Sequence, residues 1–447
     1  MLDPGFSGPS GQHTGRYIVV FDDDDPDPLD LLAAGGMTRV ADTRDLASLA
    51  TSEERSAAAR QGQGTYFAEL RMAVVAAEDA QLETLRTSSA GAQRGLHYYP
   101  ELIHHVLEPG QAGRHRSEAA PDAVSRDATG SSPAAPADGF ADTAEFTWGL
   151  QATGAATSEA SGEGIKVAVL DTGFDTGHPD FAGRTIVTES FVDGEDAQDG
   201  HGHGTHCIGT SCGPRAPGTG PGYGVAHASE IYAGKVLDAS GSGGDAGILA
   251  GIDWAITQGC AVISMSLGAD VAEVHPPYVA AGKRALARGT LIIAAAGNNA
   301  ERSAGNPGFV GTPANSPYIM AVGAVDQQLA IADFSARSGA TEGGQVDVAG
   351  PGVEVYSSWP MPQRYNTISG TSMATPHAAG VAAVLAASTG LRGRELWAEL
   401  VQGCERLDAA SADVGAGLVR APQPAAPGGD GDEGDEAAPA PPEAPSP

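Results

Sequence analysis

Between Ile165 and Leu385 the chain alternates short apolar runs with longer stretches rich in small residues, and this alternation limits the folds open to it. The runs at 165–170, 230–236, 261–267, 290–296 and 318–323 are too short for independent helices and read as buried strands. The stretches at 203–212, 245–258, 275–288 and 372–387 carry helical spacing. Strands and helices in alternation predict an α/β fold, a parallel sheet with helices on both faces. Sites in such sheets form beyond the carboxyl ends of the strands. Asp171 and Ser266 both fall at strand ends.

Three segments carry the chemistry. Gly370-Thr371-Ser372-Met373-Ala374-Thr375-Pro376-His377 sets a hydroxyl at a helix start, where unpaired N–H groups and the helix dipole favour negative charge. A serine there serves equally as an N-cap, so this segment alone does not decide its role. Ile165 to Asp171 ends a strand in a carboxylate followed by Thr172-Gly173, and Asp199-Gly200-His201-Gly202-His203-Gly204-Thr205-His206 opens a second small-residue helix. Asp171, His203 and Ser372 supply an orienter, a general base and a nucleophile, in the chain order Asp, His, Ser.

These segments resemble the three catalytic signatures of the subtilisin-like serine proteases, the subtilases, with features similar to proteinase K and thermitase-type members. The resemblance runs from about Phe146 to Val419. It implies a parallel seven-stranded sheet with helices on both faces, and a serine endopeptidase working through an acyl-enzyme with Asp171, His203 and Ser372. His206 is then a structural residue. Asn298, in Leu291 to Asn299, matches the side-chain donor of the oxyanion hole, beside the N–H of Ser372 itself. Substrate would bind as an added strand between Ser266-Leu267-Gly268 and the segment containing Gly243. Ala295, Ala296 and Gly297 would wall the primary pocket, with Gly311 at its floor. Small walls imply a preference for large apolar or aromatic residues at the cleaved carbonyl. The chemistry requires no cofactor, but the family carries structural calcium. Asp180 matches one calcium ligand, although the Gly- and Pro-rich loop 213–222 lacks the expected asparagine pattern. Asp347, with the carbonyls of Pro317 and Ile319, matches a second.

Two other readings compete. The cluster His201-x-His203-x-Thr205-His206 could hold zinc in a metallohydrolase, with Thr205 where such a cluster needs Asp. A catalytically silent subtilase fold, used as a binding or processing scaffold, normally lacks a catalytic residue. Here Asp171, His203, Ser372 and Asn298 are all present.

The flanking sequence divides further. Residues 1–15 read as disordered, and 16–108 as a small α+β unit with strands at 16–21, 67–75 and 97–107. The position of this unit resembles the family's inhibitory propeptide, an intramolecular partner. Residues 109–143 read as linker, and a maturation cut is expected within 108–143. Residues 144–420 form the catalytic unit, and 421–447 an acidic, Pro-rich disordered tail. A net charge of −31 argues against nucleic acid as a partner and leaves polypeptides as substrates. No apolar run is long enough for a membrane span; separately, a monomer is expected, cytoplasmic at synthesis. No Sec-type leader is legible at the start, which leaves a non-classical route for export. Cys207 and Cys212, five apart, fall on different faces if their helix continues and are then unpaired.

Overall fold

The computed structural model describes residues 12–23, 27–90, 97–107, 109 and 139–424. Residues 1–11 of the expected disordered start, most of the linker and most of the tail lie outside these residues, as does nearly all of the expected maturation window; His13 to Gly15, expected to be disordered, instead open the strand His13–Val20.

The main unit is built on seven parallel strands. Their spatial order is Val348–Pro351, Met320–Val325, Leu291–Ala295, Val262–Met265, Lys166–Asp171, Glu230–Lys235 and Ile186–Ser190. Five match the apolar runs. The edge strands Ile186–Ser190 and Val348–Pro351 do not announce themselves, because one carries Thr188 and Glu189 and the other contains Gly350 and Pro351. One face of the sheet packs against the helices His203–Cys212 and Thr371–Thr389, the other against Asp245–Thr257 and Pro276–Ala287. Thr371–Thr389 is buried from Thr371 to Ala386, so its small side chains let it pass through the core with no polar face. Among the described residues no helix is long and apolar enough to cross a membrane.

The N-terminal unit is α+β. Its strands lie in the order His97–Val106, His13–Val20, Met72–Val75, Gly64–Phe67 and Val40–Asp42, with helices Pro28–Ala34, Ser52–Arg60 and Asp79–Ala90. A capping box between Thr51 and Glu54 starts the second of these helices. The run 67–75, expected as one strand, is instead a hairpin: Phe67 pairs with Met72 across a turn at Ala68 to Arg71. The turn is apolar because it is an interface. Leu70 is fully buried in the same cluster as Ile252 and Ile256, and the N–H groups of Glu69 and Leu70 donate to Asp253 Oδ1 at 2.7 and 3.2 Å.

His97–Val106 joins the two units. Its end leaves the N-terminal sheet and enters the main unit as a central antiparallel strand. On one side Val106 pairs with Leu267 and His105 with Gly268. On the other, His105, His104 and Ile103 pair with Ser242, Gly243 and Gly244.

Candidate active site

Asp171 ends a central strand and is buried. His203 Nδ1 lies 2.8 and 3.0 Å from its two carboxylate oxygens. Burial pulls the imidazole down, but the charge and hydrogen bond of Asp171, together with Cys207 beside the ring, outweigh it and hold His203 well above its ordinary value. His203 is the first residue of its helix, after Gly202 in the left-handed region at φ 110°. A Cβ on Gly202 would also strike the Trp359 ring at 2.3 Å.

Asp199 secures this turn and went unrecognised in the sequence, although it opens the same segment. Its Oδ1 accepts from the backbones of His201 and Gly202 and from Thr172 Oγ1 at 2.7–3.0 Å. Its Oδ2 accepts from the N–H and hydroxyl of Thr205 at 2.8 and 2.7 Å. These bonds tie the helix that carries His203 to the strand end that carries Asp171.

Ser372 is the second residue of Thr371–Thr389, where backbone N–H groups have no acceptor within the helix. Four residues later, Pro376 has no N–H to offer the Ser372 carbonyl. That carbonyl instead accepts from Ser266 Oγ at 2.8 Å and from Cys207 Sγ at 3.6 Å. The Ser372 hydroxyl points to the carbonyls of Leu107 at 3.1 Å and Ser266 at 3.2 Å. His203 Nε2 is buried without a hydrogen-bond partner, so the serine–histidine bond is not formed in this arrangement. A rotation about the serine Cα–Cβ bond is the step that would turn Oγ away from these carbonyls; such bonds often tighten only in the reacting complex.

The Leu107 carbonyl is the group presented to this site. Asn298 Nδ2 donates to it at 2.7 Å. Asn298 is aimed by its own oxygen, which accepts from the N–H and hydroxyl of Thr371, each at 2.9 Å. A side chain at Gly370 would crowd this pair, its Cβ lying 3.1 Å from Asn298 Nδ2 and 3.3 Å from the Leu107 oxygen. Gly268 borders the Leu107 side chain, with a Cβ there coming within 3.3 Å of its Cδ1. Gly311 donates to the Ala296 carbonyl at 3.0 Å and Gly297 to Thr371 Oγ1 at 3.3 Å, which brings these three expected pocket residues beside the helix that carries Ser372.

The calcium expectation at Asp180 needs correcting. Its carboxylate is almost fully buried and already has three partners: Arg364 Nη2 at 2.7 Å, the Tyr223 hydroxyl at 2.8 Å and the Tyr365 hydroxyl at 2.9 Å. The guanidinium supplies the positive charge that a calcium ion would bring, so these residues do not fit the metal. Asp347 has no such guanidinium among its described contacts. It accepts from the Ala321 N–H at 2.8 Å, and burial pushes its carboxyl up to about 7.

His206 gives Nε2 to the Val355 carbonyl at 3.0 Å, and burial lowers it to about 3, so it is a neutral structural histidine. His201 and His203 have ring centres 6.3 Å apart. Among the described residues the group with converging metal-type atoms is Asp171, His203 and Cys207, not three imidazoles. The helix runs through Cys207 and Cys212, and all four cysteines are free.

Residues 162–417 match the subtilase family. The chain is 40% identical over 239 residues to a cuticle-degrading protease of Metarhizium anisopliae, covering 52% of this chain and 56% of that protein. It is 42% identical over 230 residues to thermitase of Thermoactinomyces vulgaris, covering 51% and 76%. It is 42% identical over 243 residues to subtilisin Savinase of Lederbergia lenta, covering 53% and 83%. With a strand-end aspartate paired to a helix-start histidine beside a serine on a buried helix, the chain belongs to the subtilase family of serine endopeptidases.

Proposed function

We propose that this chain is an endopeptidase that matures by cutting itself after Leu107. The observation that carries the reading is the Leu107 carbonyl, held by Asn298 Nδ2 at 2.7 Å and faced by Ser372 Oγ at 3.1 Å, with Asp171 already bonded to His203. Ser372 Oγ attacks the Leu107 carbonyl carbon while its proton passes to His203 Nε2. The oxygen, now negative, is held by Asn298 and the Ser372 N–H. His203 then protonates the leaving nitrogen of Glu108, and water releases the acyl group by the same steps.

The N-terminal unit acts as inhibitor before and after this cut, because its last strand fills the groove between Leu267-Gly268 and Ser242-Gly244. Buried contacts elsewhere support a lasting complex. Arg55 pairs with Glu189, Arg284 reaches the Leu70 and Phe21 carbonyls, and Asp253 takes two backbone donors. The apolar Leu107 side chain, which borders Gly268, supports a preference for apolar residues at the cleaved carbonyl. Asp347 would hold a structural cation, with no part in the reaction.

The test is intact-mass analysis of wild type and Ser372→Ala purified side by side. The reading requires loss of the segment up to Leu107 in wild type alone, and casein cleavage by wild type alone. A processed Ser372→Ala chain, or a wild type that stays whole and inert, refutes it.

A further inference from the structure

We propose that Asp245 makes this enzyme select histidine four residues before the cleaved bond. The proposal rests on the endopeptidase reading above, in which Leu107 carries the cleaved carbonyl and His104 is the fourth residue counted back from the bond.

The pocket that receives His104 is built around a charge. His104, Asp245 and Tyr278 are all fully buried. His104 Nε2 lies 2.7 Å from Asp245 Oδ1, and the Tyr278 hydroxyl donates to the same oxygen at 2.6 Å. The other oxygen accepts the Leu102 N–H at 2.7 Å and faces His275 Nε2 at 3.4 Å. The Tyr278 ring meets the imidazole edge to face at 5.6 Å between centroids. Asp245 is also the first residue of a 13-residue helix, whose positive end favours a carboxylate. Burial alone would raise this carboxyl, but His104 and His275 beside it hold it below the ordinary carboxylate range.

Two of the groups that satisfy Asp245 belong to the bound strand: the His104 ring and the Leu102 N–H. Any extended substrate restores the backbone donor, whereas only certain side chains restore the other. Leucine in place of His104 would leave a buried carboxylate short of one donor, which is costly. A glutamate would bring two carboxylates together. Arginine brings five N–H groups. His104 Nδ1, at the far side of the ring, is buried without a hydrogen-bond partner. The pocket therefore matches a single donor at the depth of an imidazole better than it matches a guanidinium.

The experiment uses the full chain after self-processing. Two internally quenched peptides, each with Val-Leu before the cleaved bond and differing only in His or Leu at the fourth position, compete in one tube. The ratio of their kcat/KM values does not depend on how much enzyme is active, so a variant that folds poorly still reports. Wild type should favour the histidine peptide by about tenfold or more, as expected for a donor to a buried charge. Asp245→Asn should shrink this preference, and Asp245→Leu should reverse it. Ratios within about twofold in wild type, or a preference that survives Asp245→Leu, overturn the subsite while leaving the protease reading intact. A wild type that cuts neither peptide nor casein overturns both.

Discussion

Asn298→Ala is the sharpest probe of how this site generates its rate. The Asn298 amide is 5% exposed, and its donor lies 2.7 Å from the Leu107 oxygen. Its orientation is set in advance by two bonds from Thr371, so little reorganisation remains when negative charge develops on that oxygen. A hydrogen bond to a charged acceptor contributes about 1.5–3 kcal/mol. At about 1.4 kcal/mol per decade this is roughly 10- to 150-fold in rate. Exclusion of water pushes the value upward, into the range of about 10²–10³ found when one oxyanion-hole donor is lost, as in the relative subtilisin. The loss should appear in kcat with KM nearly unchanged, because the amide binds the oxyanion more strongly than the ground-state carbonyl. The assay is steady-state hydrolysis of a chromogenic peptide ending in leucine, with active enzyme titrated by a serine-directed phosphonate. If Asn298→Ala keeps more than about a tenth of kcat, or loses activity through KM alone, the amide is not the oxyanion donor.

The remaining predictions concern charge. His203 must be neutral to accept a proton and is held above 6.5 by Asp171, so kcat/KM should rise with pH through an inflection above that value and fall away on the acid side. Asp171→Asn should move the inflection down and reduce kcat by about 10⁴; a pH–rate profile unchanged in position would contradict the pairing. The Asp347 carboxyl is raised to about 7 in the folded chain, so the native state holds its proton more tightly than the unfolded state. Its burial should therefore cost stability as pH rises from the ordinary carboxylate range to about 7. Calcium should raise Tm more at pH above 7 than at pH 5, and Asp347→Asn should abolish the difference. In that Asp347→Asn background, Arg364→Ala should lower Tm and create a response to calcium that the single variant lacks, because Asp180 loses its built-in cation. An Arg364→Ala chain indifferent to calcium would refute the substitution of guanidinium for metal.

What was legible in the sequence was what depends on neighbours along the chain. Asp171, His203 and Ser372 each lie in a segment whose local pattern, a strand end or a small-residue helix start, also states its geometry. Asn298 was legible because Ala295-Ala296-Gly297, leading off the end of the strand Leu291–Ala295, resembles the family's oxyanion-hole segment. The partners that come from distant segments were not. Arg364 meets Asp180 across 184 positions, and His104 meets Asp245 across 141, so neither carboxylate announced what would neutralise it. The hairpin at 64–75 was hidden for a related reason. Leu70 is apolar because it docks onto another unit, and a run that is apolar for docking looks the same as one that is apolar for a sheet.

Pro376 has a consequence beyond the bond it removes. A proline inside a helix costs about 3 kcal/mol, and here the missing bond frees the carbonyl of the nucleophile itself. The peptide after Ser372 is thereby suspended from Ser266 and Cys207 instead of from the turn above it. The strand that pairs with His105 and Val106, through Leu267 and Gly268, follows directly on Ser266. The nucleophile and the bond it must strike thus hang from one short stretch of sheet, so small shifts of the helix do not separate them. An alanine at 376 should yield a helix that melts later and an enzyme whose serine is worse aimed.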